Sequence, residues 1–256
     1  MSDRYGPLLD RPYADRQRIV VVAGDAQRGP DWSGIARLAL ENAVSPGFVA
    51  ARRAVGAVAP PEPVLEVDPS VASVLMLPPG HPREGVVYVG NPVDPQRYYP
   101  AATFHRMTFE HKLAEAVRLL MALGATRLEV RHVAGRSREW AGRIEVPIPS
   151  KGVVVGGAGD GHESSSSALL FRATLAGGSE PSLPPDLAWY PHEPAWQQVA
   201  EGRMRHGLRE FELAVRYEDD FGVRGRVEAA TVKYGFDLGG AFEEYRSTEW
   251  RISGTF

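Results

Sequence analysis

No cysteine occurs among the 256 residues. Disulfides, thiolate nucleophiles, thiolate zinc sites and S-palmitoylation are excluded together. Lysine is scarce: Lys112, Lys151 and Lys233 are its only representatives, so Arg carries nearly all of the positive charge. Together with abundant Ala, Gly and Pro, this points to a GC-rich bacterial genome. An excess of one charge sign is missing too. The net charge is −3, which argues against general polyanion binding while leaving room for a local basic patch. No apolar run reaches the roughly 18 residues that a membrane-spanning helix needs. The segment from Met1 to Arg18 is charged and lacks the apolar core of a secretory signal. A cytoplasmic location is expected. No stretch assembles a complete catalytic signature.

What is present is an ordinary globular composition, 43% hydrophobic and 24% charged. A chain of this length buries roughly three quarters of its unfolded surface and needs no covalent staple. Arg18 to Gly24 (RIVVVAG) reads as a buried strand. Asp31 can cap a helix from Trp32 to about Val44. Ala59 to Pro63 (APPEP) is the linker candidate. Ser73 to Leu77 and Gly85 to Gly90 read as strands. Asn91 to Pro100 is turn-rich.

The clearest helix runs from Thr103 to Leu123. Phe109, Leu113, Ala116, Val117 and Leu120 form its apolar face, and His111, Glu115, Arg118 and Ala122 lie opposite. Gly124 is placed to end it. Arg127 to Val133, Gly142 to Pro147, Ala168 to Ala176, Arg209 to Tyr217 and Thr248 to Phe256 carry strand patterns. A helix starts near Glu193-Pro194 and stops at Gly207. Residues 223–245 fit both periodicities. Gly235, Gly239 and Gly240 favour a helix to Tyr234 followed by a turn.

These elements predict an α+β fold, with a largely antiparallel mixed sheet and about three to four packed helices. Residues 1–75 are expected as an N-terminal strand-helix segment with its linker, which can pack on the main sheet. Residues 76–256 form the main domain.

Several clusters bear on chemistry. Gly157, Gly159 and Gly161 lie in a Gly-rich stretch after three valines. His162 stands where a dinucleotide fingerprint needs its third Gly, and strand character follows where a helix is required. A mobile loop explains them better than a cofactor cradle. His111 and Glu115 share the i, i+4 spacing of metal ligands, but no third ligand is implied. Asp219 and Asp220 follow Glu218 in an acidic turn, where local backbone hydrogen bonds suffice to explain them. His105 at the helix start, and His192 beside Glu193, are the acid–base candidates. Trp189, Tyr190 and Trp196, with Phe236 further on, are the aromatic candidates for an interaction surface. Packing around a helix entry accounts for the first three equally simply.

No cofactor is implied. The reading that follows is a non-enzymatic binding or assembly module, a subunit of a bacterial multi-component complex, whose partner is a protein or a second copy. One alternative is a membrane-acting pore-type protein in which amphipathic segments such as 226–256 rearrange into β-hairpins. The other is a nucleotide- or metal-dependent enzyme.

Overall fold

A computed structural model describes residues 8–22, 64–134, 169–178, 180–218, 223, 237–240 and 247–256. The expected helix at 32–44, the strand at 142–147, the Gly-rich loop with Gly157, Gly159 and Gly161, Asp219, Asp220 and Phe236 lie outside them. The chain divides into two units, Met1–Phe104 with Phe221–Glu243, and His105–Asp220 with Glu244–Phe256.

In the first unit a short helix α1 (Tyr13–Arg16) leads into β1 (Arg18–Val21), followed by β2 (Leu65–Val67), helix α2 (Pro69–Ala72), β3 (Val87–Gly90) and β4 (Tyr98–Pro100). The sheet order is β2-β1-β3-β4. β1 runs parallel to β2 and antiparallel to β3, which is antiparallel to β4. Every residue of β1 and β3 is buried, which is why β1 reads as an unbroken apolar run rather than an alternation. Ile19, Val21, Tyr88 and Tyr98 form one core face with Leu8, Val67, Ala72, Leu75 and Val86. Hydroxyls tie this unit together: Tyr13 donates to Gly90 O at 2.7 Å and Tyr98 to Arg16 O at 2.8 Å.

Two expectations fail here. Ser73 to Leu77 is not a strand, and only an isolated bridge joins Met76 to Arg97. The helical turn α2 precedes it, because Asp68 is an N-cap whose Oδ1 accepts from Ser70 N at 2.8 Å and Pro69 occupies the first turn. Tyr98–Pro100, read as turn, is β4, held by its pairing with β3.

The second unit begins at His105, the second residue of helix α3 (Phe104–Ala122), and continues through β5 (Arg127–Ala134), β6 (Leu169–Thr174), helix α4 (Pro194–His206), β7 (Glu210–Tyr217) and β8 (Thr248–Thr255). Its sheet is wholly antiparallel, in the order β6-β5-β8-β7. The α+β class and the mostly antiparallel pairing hold, with the strands divided between two four-stranded sheets. Phe211, Leu213, Val215 and Tyr217 alternate inward on β7 against exposed charges. Register aligns Leu213, Ile252 and Val130 in one row across the sheet. All three are buried.

α3 ends in a Schellman motif. Gly124 has φ 88°, Ala125 N donates to Leu120 O and Gly124 N to Met121 O, each at 3.0 Å. A Cβ on Gly124 would also lie 2.8 Å from Gly178 O. Gly124→Ala is therefore expected to lose about 2 kcal/mol, read as a lower urea midpoint at unchanged m-value.

Candidate functional site

α3 has two buried faces, and the second is polar. Its apolar face meets the sheet: the Phe109 ring stands edge-on to Trp250 at 4.9 Å and to Tyr217 at 6.3 Å between centroids. Away from that face Lys112 and Glu115 are only 7% and 6% exposed, covered by the segment 186–193, while Arg118 is exposed. Arg118 pairs with Asp186 through both terminal guanidinium nitrogens. One carboxylate oxygen of Glu115 accepts from Ala188 N at 2.8 Å, and the other from Trp189 N at 2.7 Å and Tyr190 N at 2.9 Å. These donors open a 3₁₀ turn at Tyr190–His192, so Glu115 caps it from another element. Lys112 Nζ sits 5.0 Å from the Trp189 ring centroid, donates to Arg216 O at 2.7 Å and pairs with Glu193.

This geometry places each candidate. Trp189 and Trp196 are buried rather than displayed, and Tyr190 is half-buried. The two tryptophans thus offer no surface to a partner. His192 is exposed, while Glu193 is held by Lys112 instead of facing His192 as a base. His111 and Glu115 do not converge: Trp189 Nε1 donates to His111 Nδ1 at 3.3 Å, and Glu115 is filled by backbone donors. No group of three His, Asp or Glu side chains able to hold a metal occurs among the described residues. His105, 1% exposed, has its Nδ1 2.8 Å from the Tyr217 hydroxyl. Burial pushes its pKa down to about 4.

Lys112 is the residue sequence reasoning missed. Its signal was a lysine one helical turn before Glu115 in a chain nearly devoid of lysine, facing the aromatic and acidic stretch 189–193.

What remains open is the margin of the second sheet. Phe256 N donates to Arg209 O at 2.9 Å. This sets the phase of the β7–β8 ladder, so Phe211, Leu213, Val215 and Tyr217 bond inward to β8. The backbone N–H and C=O of Glu210, Glu212, Ala214 and Arg216 consequently point away from the sheet. Lys112 takes Arg216 O. No strand pairs with this edge among the described residues. β7 keeps regular register over eight residues, whereas both pairings of β5 are interrupted by shifts. β7 contains neither Pro nor Lys, two common means of blunting an edge. The outward side chains carry paired charges: Arg216 with Glu249 at 2.9 Å and Arg251 with Glu212 at 3.2 Å. Further across, Arg172 and Arg131 bracket Glu129. Partial burial opposes ionisation of Glu129, yet the hydrogen bonds from the two guanidiniums outweigh it and hold the carboxyl below its usual range.

Comparison with protein-family models, curated proteins and solved structures gives no match.

Proposed function

We propose that the chain is a non-enzymatic binding module that recruits an extended protein segment by strand addition at the outer edge of β7. The observation that carries this reading is the ladder phase, which leaves the amides and carbonyls of Glu210, Glu212 and Ala214 directed outward in regular register. Main-chain hydrogen bonds of that kind supply affinity, and alternate side-chain positions supply specificity. The polar groups buried on α3 support the same reading. Lys112 and Glu115 are spent on holding the segment 186–193 and the Arg216 carbonyl in place, a structural role.

Selection of displayed extended peptides on the immobilised protein tests the proposal. Selected peptides are expected to lose binding to Ala214→Pro, because the Ala214 N–H lies outside the protein's own ladder but inside the added one. That variant should melt close to the parent. Leu213→Pro, which removes an amide bonded to β8 and empties the space of a buried leucine side chain, is expected to lose about 3 kcal/mol or more of stability. Peptides that bind Ala214→Pro undiminished, or a selection that yields none, would count against strand addition at β7.

A further inference from the structure

We infer that the segment received by β7 is the β7 of a second copy, paired antiparallel about a twofold axis at Leu213 to give an eight-stranded sheet. This rests on the strand-addition reading and specifies its occupant. The argument is charge complementarity along the edge. The side chains accompanying the outward-facing amides run Glu210, Glu212, Ala214, Arg216. In a twofold antiparallel pair, only those residues can face one another through hydrogen bonds. An axis at Glu212 sets Glu212 against itself. An axis at Ala214 sets Glu212 against Arg216 of the other copy, twice, but also Glu210 against Glu218, twice, so its like-charge pairs offset its opposite-charge ones. The axis at Leu213 sets Glu210 against Arg216 of the other copy, twice by symmetry, and Glu212 against Ala214. It makes two opposite-charge pairs and no like-charge pair directly across the new ladder.

The surroundings accept this register. Arg216 already pairs with Glu249, so a Glu210 from the second copy extends that network along the outer face. Arg216 O, held by Lys112, keeps a second acceptor site for the incoming Glu210 amide, since a carbonyl has two lone pairs. Inward, the sheet row of Phe211, Leu213 and Val215 continues from one copy into the next without a change of face, because the period of two is preserved.

Sedimentation equilibrium of the full chain from low to high micromolar concentration, at low salt, tests the inference. A reversible monomer–dimer equilibrium is expected. Glu210→Arg and Arg216→Glu should each weaken the homodimer by about tenfold or more, since each places two like-charge pairs across the axis. An equimolar mixture of the two variants restores both opposite-charge pairs, and should recover most of the parent affinity as a heterodimer. Recovery in the mixture is something that simple misfolding of either variant cannot produce. Ala214→Pro should abolish the dimer. A monomer at every concentration overturns self-pairing. So does a dimer that Ala214→Pro leaves intact, or a mixture no tighter than its components. Peptides selected on the parent and lost on Ala214→Pro would, in those cases, leave strand addition standing with a different occupant. Absence of both signals would end both ideas.

Discussion

Glu115→Ala is expected to lower stability by about 5 kcal/mol, the largest effect of a single side-chain truncation proposed for this protein. Three backbone N–H groups, those of Ala188, Trp189 and Tyr190, converge on one buried carboxylate. A hydrogen bond to a charged acceptor contributes about 1.5 to 3 kcal/mol, and donors left without one keep their desolvation cost. Truncation therefore frees the segment 186–193 from α3. Trp189 loses its seat against the Lys112 ammonium, and the Lys112–Glu193 pair loses its frame. Glu115→Gln should fall between parent and alanine variant, because one amide oxygen still accepts while the NH₂ group confronts a backbone donor. Urea unfolding followed by tryptophan fluorescence measures the series. An alanine variant as stable as the parent would show that the carboxylate holds nothing.

The second large effect is acid sensitivity at His105. Its ring is buried against Tyr217, and its folded pKa lies at about 4, lowered from 6.5 by desolvation. Above about pH 6.5 the imidazole is neutral in both states, and its contribution is constant. As pH falls from 6.5 towards 4, the unfolded chain binds a proton that the folded chain refuses, so stability declines. Below 4 both states are protonated and this group adds no further slope. The span corresponds to about 3 kcal/mol. Carboxylates such as Glu129, whose folded pKa is also lowered, add an acid loss of their own. The informative quantity is thus the difference between the parent and His105→Phe, compared in urea at neutral pH and near pH 4. The variant should lose less stability over that interval. Equal losses would remove His105 from the account.

Self-pairing at β7, if the mixed charge-swap variants recover it, gives these two stability predictions a functional side. α3 packs on the inward face of the strand that forms the new sheet, through Phe109 against Tyr217 and Trp250. Lys112 also reaches the edge carbonyl of Arg216. Loosening the 186–193 segment should therefore weaken assembly as well as folding, and acid should do the same through His105.

Several elements were legible from residues alone because their signals are local. REFELAVRY alternates without interruption, and it forms β7 with Phe211, Leu213, Val215 and Tyr217 buried. The helix boundaries at 104–122 and 194–206 follow from glycines placed after the last turn, Gly124 and Gly207, both with positive φ. β4 was missed because Tyr98-Tyr99-Pro100 is a strand only while β3 pairs with it. α2 was missed for a different reason: Asp68-Pro69 is a sound local start signal, overshadowed by the apolar run that follows.

The candidate site divides along the same line. Periodicity and capping chemistry alone settled that Arg209 to Tyr217 and Thr248 to Phe256 are one-sided strands and that α3 buries Phe109 and Leu113, since these depend on neighbours a few residues apart. Tertiary structure decided that β7 stands at the edge and β8 beside it. It also decided that Lys112 and Glu115 lie under a segment more than seventy residues away, and that two tryptophans face inward. Strand order and the burial of a polar helix face are consequences of long-range pairing, and no pattern within a single element encodes which other element will cover it.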